Sequence, residues 1–370
     1  MAKITGVEIR MVNLEPKTIR SDSIQSFVSQ ETPIVRITDS DGATGIGYSY
    51  TIGSGGYSVL ALLQQTLAPM LIGRDAQCLE AIWRDLLFAT HATSVGAITS
   101  LALAAIDTAL WDLRCKRAEL PLWQAAGGSR ESIPLYSTEG GWLHLTSEQL
   151  VEDALAMQEQ GFRGVKIKIG KQFLSEDRSR LKAVREAVGD AFEIMTDANQ
   201  SFALSEAVRR AQVLQEFGIG WFEEPMPADD VLQHARLAQT TSVPIAVGES
   251  LYSLSQFKDY LVTGACSIVQ VDVARIGGIT PWLKVAHLAE AFNVTVCPHF
   301  LMELHVSLVC AIPNAKWLEY IPQLDDIITT PMRIKNGEAM PSDRPGLGID
   351  WDWAEIERLT KNHPGADIRV

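Results

Sequence analysis

Glu193-Ile194-Met195-Thr196-Asp197, Ile219-Gly220-Trp221-Phe222-Glu223 and Pro244-Ile245-Ala246-Val247-Gly248-Glu249 are three short apolar runs, each ending on a carboxylate. The acids are 26 and 26 residues apart, about one strand, loop, helix and loop. That spacing predicts that Asp197, Glu223 and Glu249 hold the same place on three consecutive βα units. In a parallel barrel such places converge at the C-terminal mouth, where the chemistry of the fold resides. Three hard oxygen donors meeting at one point favour Mg²⁺.

Working outward, eight short strand candidates follow Gly127-Gly128: 133–138, 165–170, 193–199, 219–225, 244–249, 268–272, 294–299 and 316–321. From the second to the eighth, their starts differ by 28, 26, 25, 24, 26 and 22 residues, and each gap carries a helical pattern. This predicts an α/β chain with a (β/α)₈ barrel over 128–342. An open doubly wound sheet would want a Gly-rich phosphate turn after its first strand, and the chain has none there. Residues 1–127 read as an α+β capping domain. Strand-like alternation at Ile4–Arg10, Pro33–Thr38 and Thr44–Tyr50 gives way to helical spacing from about 57. The tail from Asp343 onward is expected to pack back on this domain.

Composition narrows the partners. The net charge is −13, from 32 basic and 45 acidic residues, with no basic run, which argues against nucleic acid and against a polybasic membrane contact. The longest apolar stretch, Ala97 to Leu113, is interrupted by Asp107 and is too short to span a bilayer. The N-terminus has no apolar signal core. The five cysteines lack CxxC spacing and read as buried thiols of a reducing compartment. A soluble cytoplasmic enzyme is the expectation.

Five further residues carry chemistry. In Val165-Lys166-Ile167-Lys168-Ile169, alternation puts Lys166 and Lys168 on one face, the barrel interior. Their mutual repulsion and a nearby metal would lower their pKa values, suiting a general base, whereas a solvent-facing pair would be inert. The sixth strand ends in Asp272 and the seventh in His299, so adjacent strand ends can pair carboxylate with imidazole. The eighth offers Glu319, which could donate a hydrogen bond to an oxyanion if protonated.

Taken in order, the Lys-x-Lys strand, Asp197, Glu223 of Glu223-Glu224-Pro225, Glu249, Asp272, His299 and Glu319 resemble the mandelate racemase subgroup of the enolase superfamily. The likeness runs over nearly the whole chain and includes Ala104-Ala105-Ile106-Asp107-Thr108-Ala109-Leu110-Trp111-Asp112-Leu113. Cys115-Lys116 departs from the family's usual Gly-Lys. The resemblance implies that Asp197, Glu223 and Glu249 bind Mg²⁺, that Lys168 is a base on one substrate face, and that Lys166 neutralises a carboxylate oxygen. It assigns His299, supported by Asp272, to the opposite face and Glu319 to the enolic intermediate. It also implies a homo-oligomer. Asn199 reads equally as a contact to a substrate hydroxyl or as a helix cap, and Glu224 as a supporting acid.

Bases on both faces allow dehydration, racemisation or epimerisation, and the same enolate serves lactone cycloisomerisation. Most of the subgroup resembles acid-sugar dehydratases, and Pro298-His299-Phe300-Leu301-Met302-Glu303-Leu304-His305 is similar to the segment in galactarate or talarate dehydratases. The expected reaction is therefore loss of water from an aldonate or aldarate to a 2-keto-3-deoxy acid. A binding module with a vestigial metal site is the contrary case. Selectivity is expected from Arg20–Phe27 and Tyr48–Tyr57, where Arg20, Asp22, Ser23, Tyr48 and Tyr50 are candidates for substrate hydroxyls or a distal carboxylate.

Overall fold

The computed structural model describes residues 2–93, 96–361 and 367–370. Near the N-terminus, β1 (Ile4–Leu14), β4 (Gln30–Asp39) and β5 (Thr44–Tyr48) form an antiparallel sheet, with the small hairpin β2 (Arg20–Ser21) and β3 (Ser26–Phe27) set apart from it. Asp39 fixes the β4–β5 turn, its carboxylate accepting from the backbone N–H of Asp41 and Ala43. Against β5 lies the helix Ala97–Arg117, buried along most of its length. Two glycines permit that contact. A Cβ on Gly45 would come within 2.1 Å of the Ala109 carbonyl oxygen, and one on Gly47 within 2.2 Å of the Ala109 nitrogen.

The second part is a closed parallel barrel: β6 (Ile133–Ser137), β7 (Gly164–Lys168), β8 (Glu193–Asp197), β9 (Phe222–Glu223), β10 (Ile245–Val247), β11 (Ile268–Val269), β12 (Thr295–Val296) and β13 (Leu318–Tyr320). Each pairs with the next through β12, a parallel bridge joins Val296 to Ala315 just before β13, and β13 pairs with β6. A helix stands between every two successive strands, from Ser147–Glu159 to Met302–Ala311. The ladders are shorter than the apolar runs predicted. β11 and β12 stop three residues before Asp272 and His299, so these side chains come from the segments that follow the last paired residues. Inside, Tyr136, Met195, Trp221, Ala246, Ile268, Cys297 and Trp317 pack as one buried cluster, one residue in or next to each strand except β7. On β7 that depth belongs to Lys166, whose ammonium lies 5.8 Å from the Tyr136 ring.

The chain finishes with the hairpin β14 (Arg333–Lys335) and β15 (Glu338–Met340), which extends β6, and with β16 (Asp367–Arg369), which pairs antiparallel with β1. Two aspartates of the Ala97–Arg117 helix join these parts. Asp107 accepts from the Thr280 N–H and hydroxyl at the start of a barrel helix. Asp112 accepts from Ile46 N–H on β5 and from Leu347 N–H in the tail. Cys115, Cys266, Cys297 and Cys310 are buried free thiols as expected; Cys78 is exposed, because it precedes a helix on the surface. No helix among the described residues is long and apolar enough to cross a membrane.

The glycine contact is testable. Gly47→Ala forces a methyl into the backbone of the buried helix, and a loss of about 1–3 kcal/mol is expected. Urea unfolding would read it as a lower midpoint, and an unchanged midpoint would show that the sheet and helix can part at no cost.

Candidate active site

All five residues of β7 are buried, so its two lysines point into the barrel among acids from the neighbouring strands. The register sets Lys168 beside Asp197 and Asp197 beside Glu223 in one row across β7, β8 and β9. Lys166 Nζ donates to Glu223 Oε1 at 2.8 Å and lies 2.9 Å from Glu319 Oε1; Lys168 Nζ donates to Asp197 Oδ2. Burial opposes charge on both lysines. For Lys166 the anions Glu223, Glu319 and Asp197 win, and its pKa rises well above the usual lysine range. Asp197 and Glu249 raise that of Lys168 despite the like charge of Lys166. That direction is set by the carboxylates alone, whereas the lowering expected from the sequence also invoked a nearby metal. Mutual repulsion acts, but it is outweighed by the carboxylates that alternation brings to the same interior.

One carboxylate oxygen from each of Asp197, Glu223 and Glu249 lies within 4.8 Å of the others. Each acid is oriented by a donor. Asn199 N–H bonds to Asp197 Oδ1 at 2.8 Å, Gln270 Nε2 and Trp221 Nε1 bond to Glu223 Oε2 at 2.6 and 3.0 Å, and Arg275 Nη1 reaches Glu249 Oε1 at 3.3 Å. Burial and the neighbouring Asp197 push Glu223 up to about 7. Three buried oxygen donors that repel one another, with no thiolate or imidazole closing the set, fit a hard divalent cation of the Mg²⁺ kind.

Across the mouth, His299 Nδ1 bonds to Asp272 Oδ2 at 2.9 Å, and His299 Nε2 lies 3.1 Å from Glu249 Oε2. Asp272 is buried, which opposes its charge, yet the bond to His299 and the cations around it hold its pKa down to about 2. Asp272 Oδ1 also accepts from the N–H groups of Ala274 and Arg275. Glu249 and Asp272 raise His299 against the effect of burial. In the ring, β8 to β11 separate β7 from β12 on one side, and β13 and β6 on the other, so Lys168 and His299 enter the cavity from different sides. Glu319 accepts from Thr138 Oγ1 at 2.6 Å and from Phe300 N–H at 2.8 Å. Burial opposes its ionisation, but Lys166 and His299 hold it below the usual carboxylate range. In this arrangement Glu319 is an acceptor, with Thr138, the Phe300 amide and Lys166 around its carboxylate.

These groups face a cavity of about 140 Å³ whose lining includes Lys166, Lys168, Asn199, Glu249, His299 and Glu319. Asn199 resolves in favour of the cavity. The following helix starts from Ala203 without a side-chain cap, and Asn199 Oδ1 is buried with no partner. Asp22 lines the cavity too, whereas Arg20, Tyr48 and Tyr50 are outside its lining. Arg20 is turned to Glu139 and the Pro322 carbonyl, at 2.6 and 3.0 Å, and Ser23 Oγ bonds to the Ala198 carbonyl, so both pin the hairpin to the barrel. Tyr48 is buried edge-on to Trp351. Tyr50 donates to Asp272 Oδ2 at 2.6 Å and receives Arg275 Nε at 3.1 Å, so it contacts the dyad's carboxylate from behind.

Sequence reasoning missed Gln270, Arg275 and His305. Gln270 was within reach, since alternation puts it on the face of Asp272 two residues on. His305 Nδ1–H donates to the Phe300 carbonyl at 2.9 Å and its Nε2 accepts from Val273 N–H at 3.1 Å, tying the chain after His299 to the chain after Asp272. Nothing in its spacing announces that role.

Residues 5–127 match the N-terminal domain of mandelate racemases and muconate lactonizing enzymes, and 149–355 match the enolase C-terminal domain-like family. The chain belongs to the mandelate racemase/muconate lactonizing enzyme family of the enolase superfamily. It is 38% identical over 316 residues to the L-talarate/galactarate dehydratase of Salmonella typhimurium, covering 85% of this chain and 79% of that one. It is 36% identical over 346 residues to the 3,6-anhydro-alpha-L-galactonate cycloisomerase of Streptomyces coelicolor, covering 93% and 95%. The crystal structure of the Salmonella dehydratase liganded with Mg and L-lyxarohydroxamate superimposes with a TM-score of 0.93 at 33% identity, covering all of this chain and 94% of that one.

Burial holds His305 down to about 4, against an ordinary value of 6.5. Between those pH values the unfolded chain takes up a proton that the folded chain refuses, so the stability given by the neutral ring is present above about 6.5 and is lost as pH falls toward 4. The swing is about 3 kcal/mol. His305→Gln should flatten the fall in Tm on the acid side, and an unaltered pH slope would remove His305 as its source.

Proposed function

We propose that this protein is a Mg²⁺-dependent acid-sugar dehydratase, which removes the α-proton of a polyhydroxy carboxylate and expels the β-hydroxyl to give a 2-keto-3-deoxy acid. The observation that carries the reading is one cavity lined by lysines from β7, an imidazole from beyond β12 and Glu249, whose carboxylate clusters with those of Asp197 and Glu223. Asp197, Glu223 and Glu249 would hold the ion. When bound, Mg²⁺ supplies Lewis-acid stabilisation of the enediolate oxygens and neutralises the carboxylates that otherwise retain the lysine protons.

The remaining roles belong to the chain's own residues. Lys166, held between Glu223 and Glu319, presents fixed positive charge to the substrate carboxylate as negative charge builds on it. Lys168 is the base on one face. His299, oriented by Asp272 through Nδ1, offers Nε2 on the other face, protonating the leaving hydroxyl in a dehydration or C2 in an epimerisation. Asn199 is the residue to meet a substrate hydroxyl, because its unpartnered carbonyl borders the cavity.

Cycloisomerisation is the second reading, favoured by the 36% identity to a cycloisomerase over nearly the whole of both chains. It uses the same enolate without loss of water, so the products separate the two. Purified enzyme with Mg²⁺ should be screened against acid sugars of all configurations, with semicarbazide trapping 2-keto products. The expected result is a strong hit that falls about 10²–10⁴-fold in both Lys168→Ala and His299→Asn. In D₂O, the variant retaining its base on the side of the α-proton should still exchange that proton. A ring-opened or ring-closed isomer would replace dehydration, and absence of both turnover and exchange would remove the enolate reading.

A further inference from the structure

The cavity has two unlike ends. Toward the barrel its lining is charged, with Lys166, Lys168, Glu249, Arg275, His299 and Glu319; toward the cap it is Asp22, Ile24, Gln25, Phe27 and Ile52. Each cation among the described lining residues is engaged at the barrel end. Lys166 is held by Glu223 and Glu319, Lys168 by Asp197, and Arg275 by the Glu249 carboxylate and carbonyl and the Tyr50 hydroxyl. Arg20, the one basic side chain of the β2–β3 hairpin, is 3% exposed and turned to Glu139.

The cap-side wall is built. Asp22 Oδ1 accepts from the N–H groups of Ile24 and Gln25 at 2.7 and 2.8 Å, which sets the hairpin turn and leaves the second oxygen to accept from a hydroxyl. Ser21 and Ser23 fasten the same hairpin to the barrel, through Leu143 N–H at 2.9 Å and the Ala198 carbonyl at 2.9 Å.

We infer that the substrate is a monocarboxylate whose far end is uncharged, an aldonate or its anhydro or lactone form, and not an aldarate. This rests on the α-proton reading above and adds the charge of the distal end. A second carboxylate at the cap would give up water for apolar side chains and the negative charge of Asp22, both unfavourable. A hydroxylated, uncharged terminus meets the same wall with hydroxyls on Asp22 and Gln25 and C–H faces on Ile24 and Ile52.

The test is kcat/KM, together with C2 proton exchange in D₂O, for aldonate and aldarate pairs of matched configuration, such as galactonate and galactarate or gluconate and glucarate. In the best pair the monoacid should lead by about 100-fold or more. Asp22→Asn keeps the turn's acceptor and removes the charge. It should narrow the gap about tenfold, and Ile24→Arg, at a position 63% exposed, should narrow it further by supplying a cation. A diacid that reacts as well as or better than its monoacid, or a gap indifferent to both variants, overturns the inference while leaving the α-proton chemistry intact. If no member of either series reacts or exchanges, the α-proton reading falls and this inference falls with it.

Discussion

The constraint on which the rest depends is the packing of opposite charges in a buried place. Lys166 and Lys168 are 1% and 5% exposed, and Asp197, Glu223, Asp272 and Glu319 no more than 1%. Removing one partner from such a set leaves a buried charge uncompensated, typically at about 3–5 kcal/mol. Every element that approaches the mouth is therefore obliged to bring a donor or an acceptor. Trp221 and Gln270 serve Glu223, Thr138 and the Phe300 amide serve Glu319, and the Ala274 and Arg275 amides serve Asp272. The barrel supplies the positions, and the charges dictate which side chains can fill them.

The cap takes part in the same balance. Tyr50 comes from the chain just after β5, yet its hydroxyl sits on Asp272, and Arg275 bridges that hydroxyl to Glu249. The glycines that let β5 lie against the Ala97–Arg117 helix, and the Asp107 joint from that helix to the barrel, thus position a hydrogen bond on the dyad. Stability of the cap interface and orientation of His299 are coupled through a few named atoms. The same cap borders the mouth, because the β2–β3 hairpin is pinned to the barrel and its turn lines the cavity.

The barrel and the set of side chains gathered at its mouth were legible because they rest on periodicity. Equal spacing of Asp197, Glu223 and Glu249 follows from the βα repeat, and the burial of Lys166 and Lys168 follows from alternation, with a period of two. Ionisation states were not legible. The sign of a lysine's shift depends on how many carboxylates cross the barrel to meet it, and those partners lie 29, 57 and 153 residues away for the pairs Lys168–Asp197, Lys166–Glu223 and Lys166–Glu319. The cap loops were legible only as loops. Arg20, Tyr48 and Tyr50 are polar and near the right segment, but side-chain direction at a sheet edge is fixed by the seam with the barrel, which no local pattern encodes.

Backbone strain at the mouth has the same origin. Eight described non-glycine residues have positive φ, and five of them, Asn199, Gln200, Glu224, Phe300 and Leu301, lie just beyond barrel strands at the mouth. Glycine would relieve each at little steric cost, yet most of these positions need a side chain. Gln200 donates to Glu224 and Ser250 and accepts from Ala228 N–H, and the Phe300 ring stacks on His299 at 5.2 Å between centroids. The strain is held by bonds that also arrange the chemistry. Phe300 N–H is fixed by Glu319, and its carbonyl by His305. A left-handed backbone held by both Glu319 and a buried histidine thus fixes the position of the Phe300 ring that stacks on His299. Such strain persists because the surrounding contacts over-determine it.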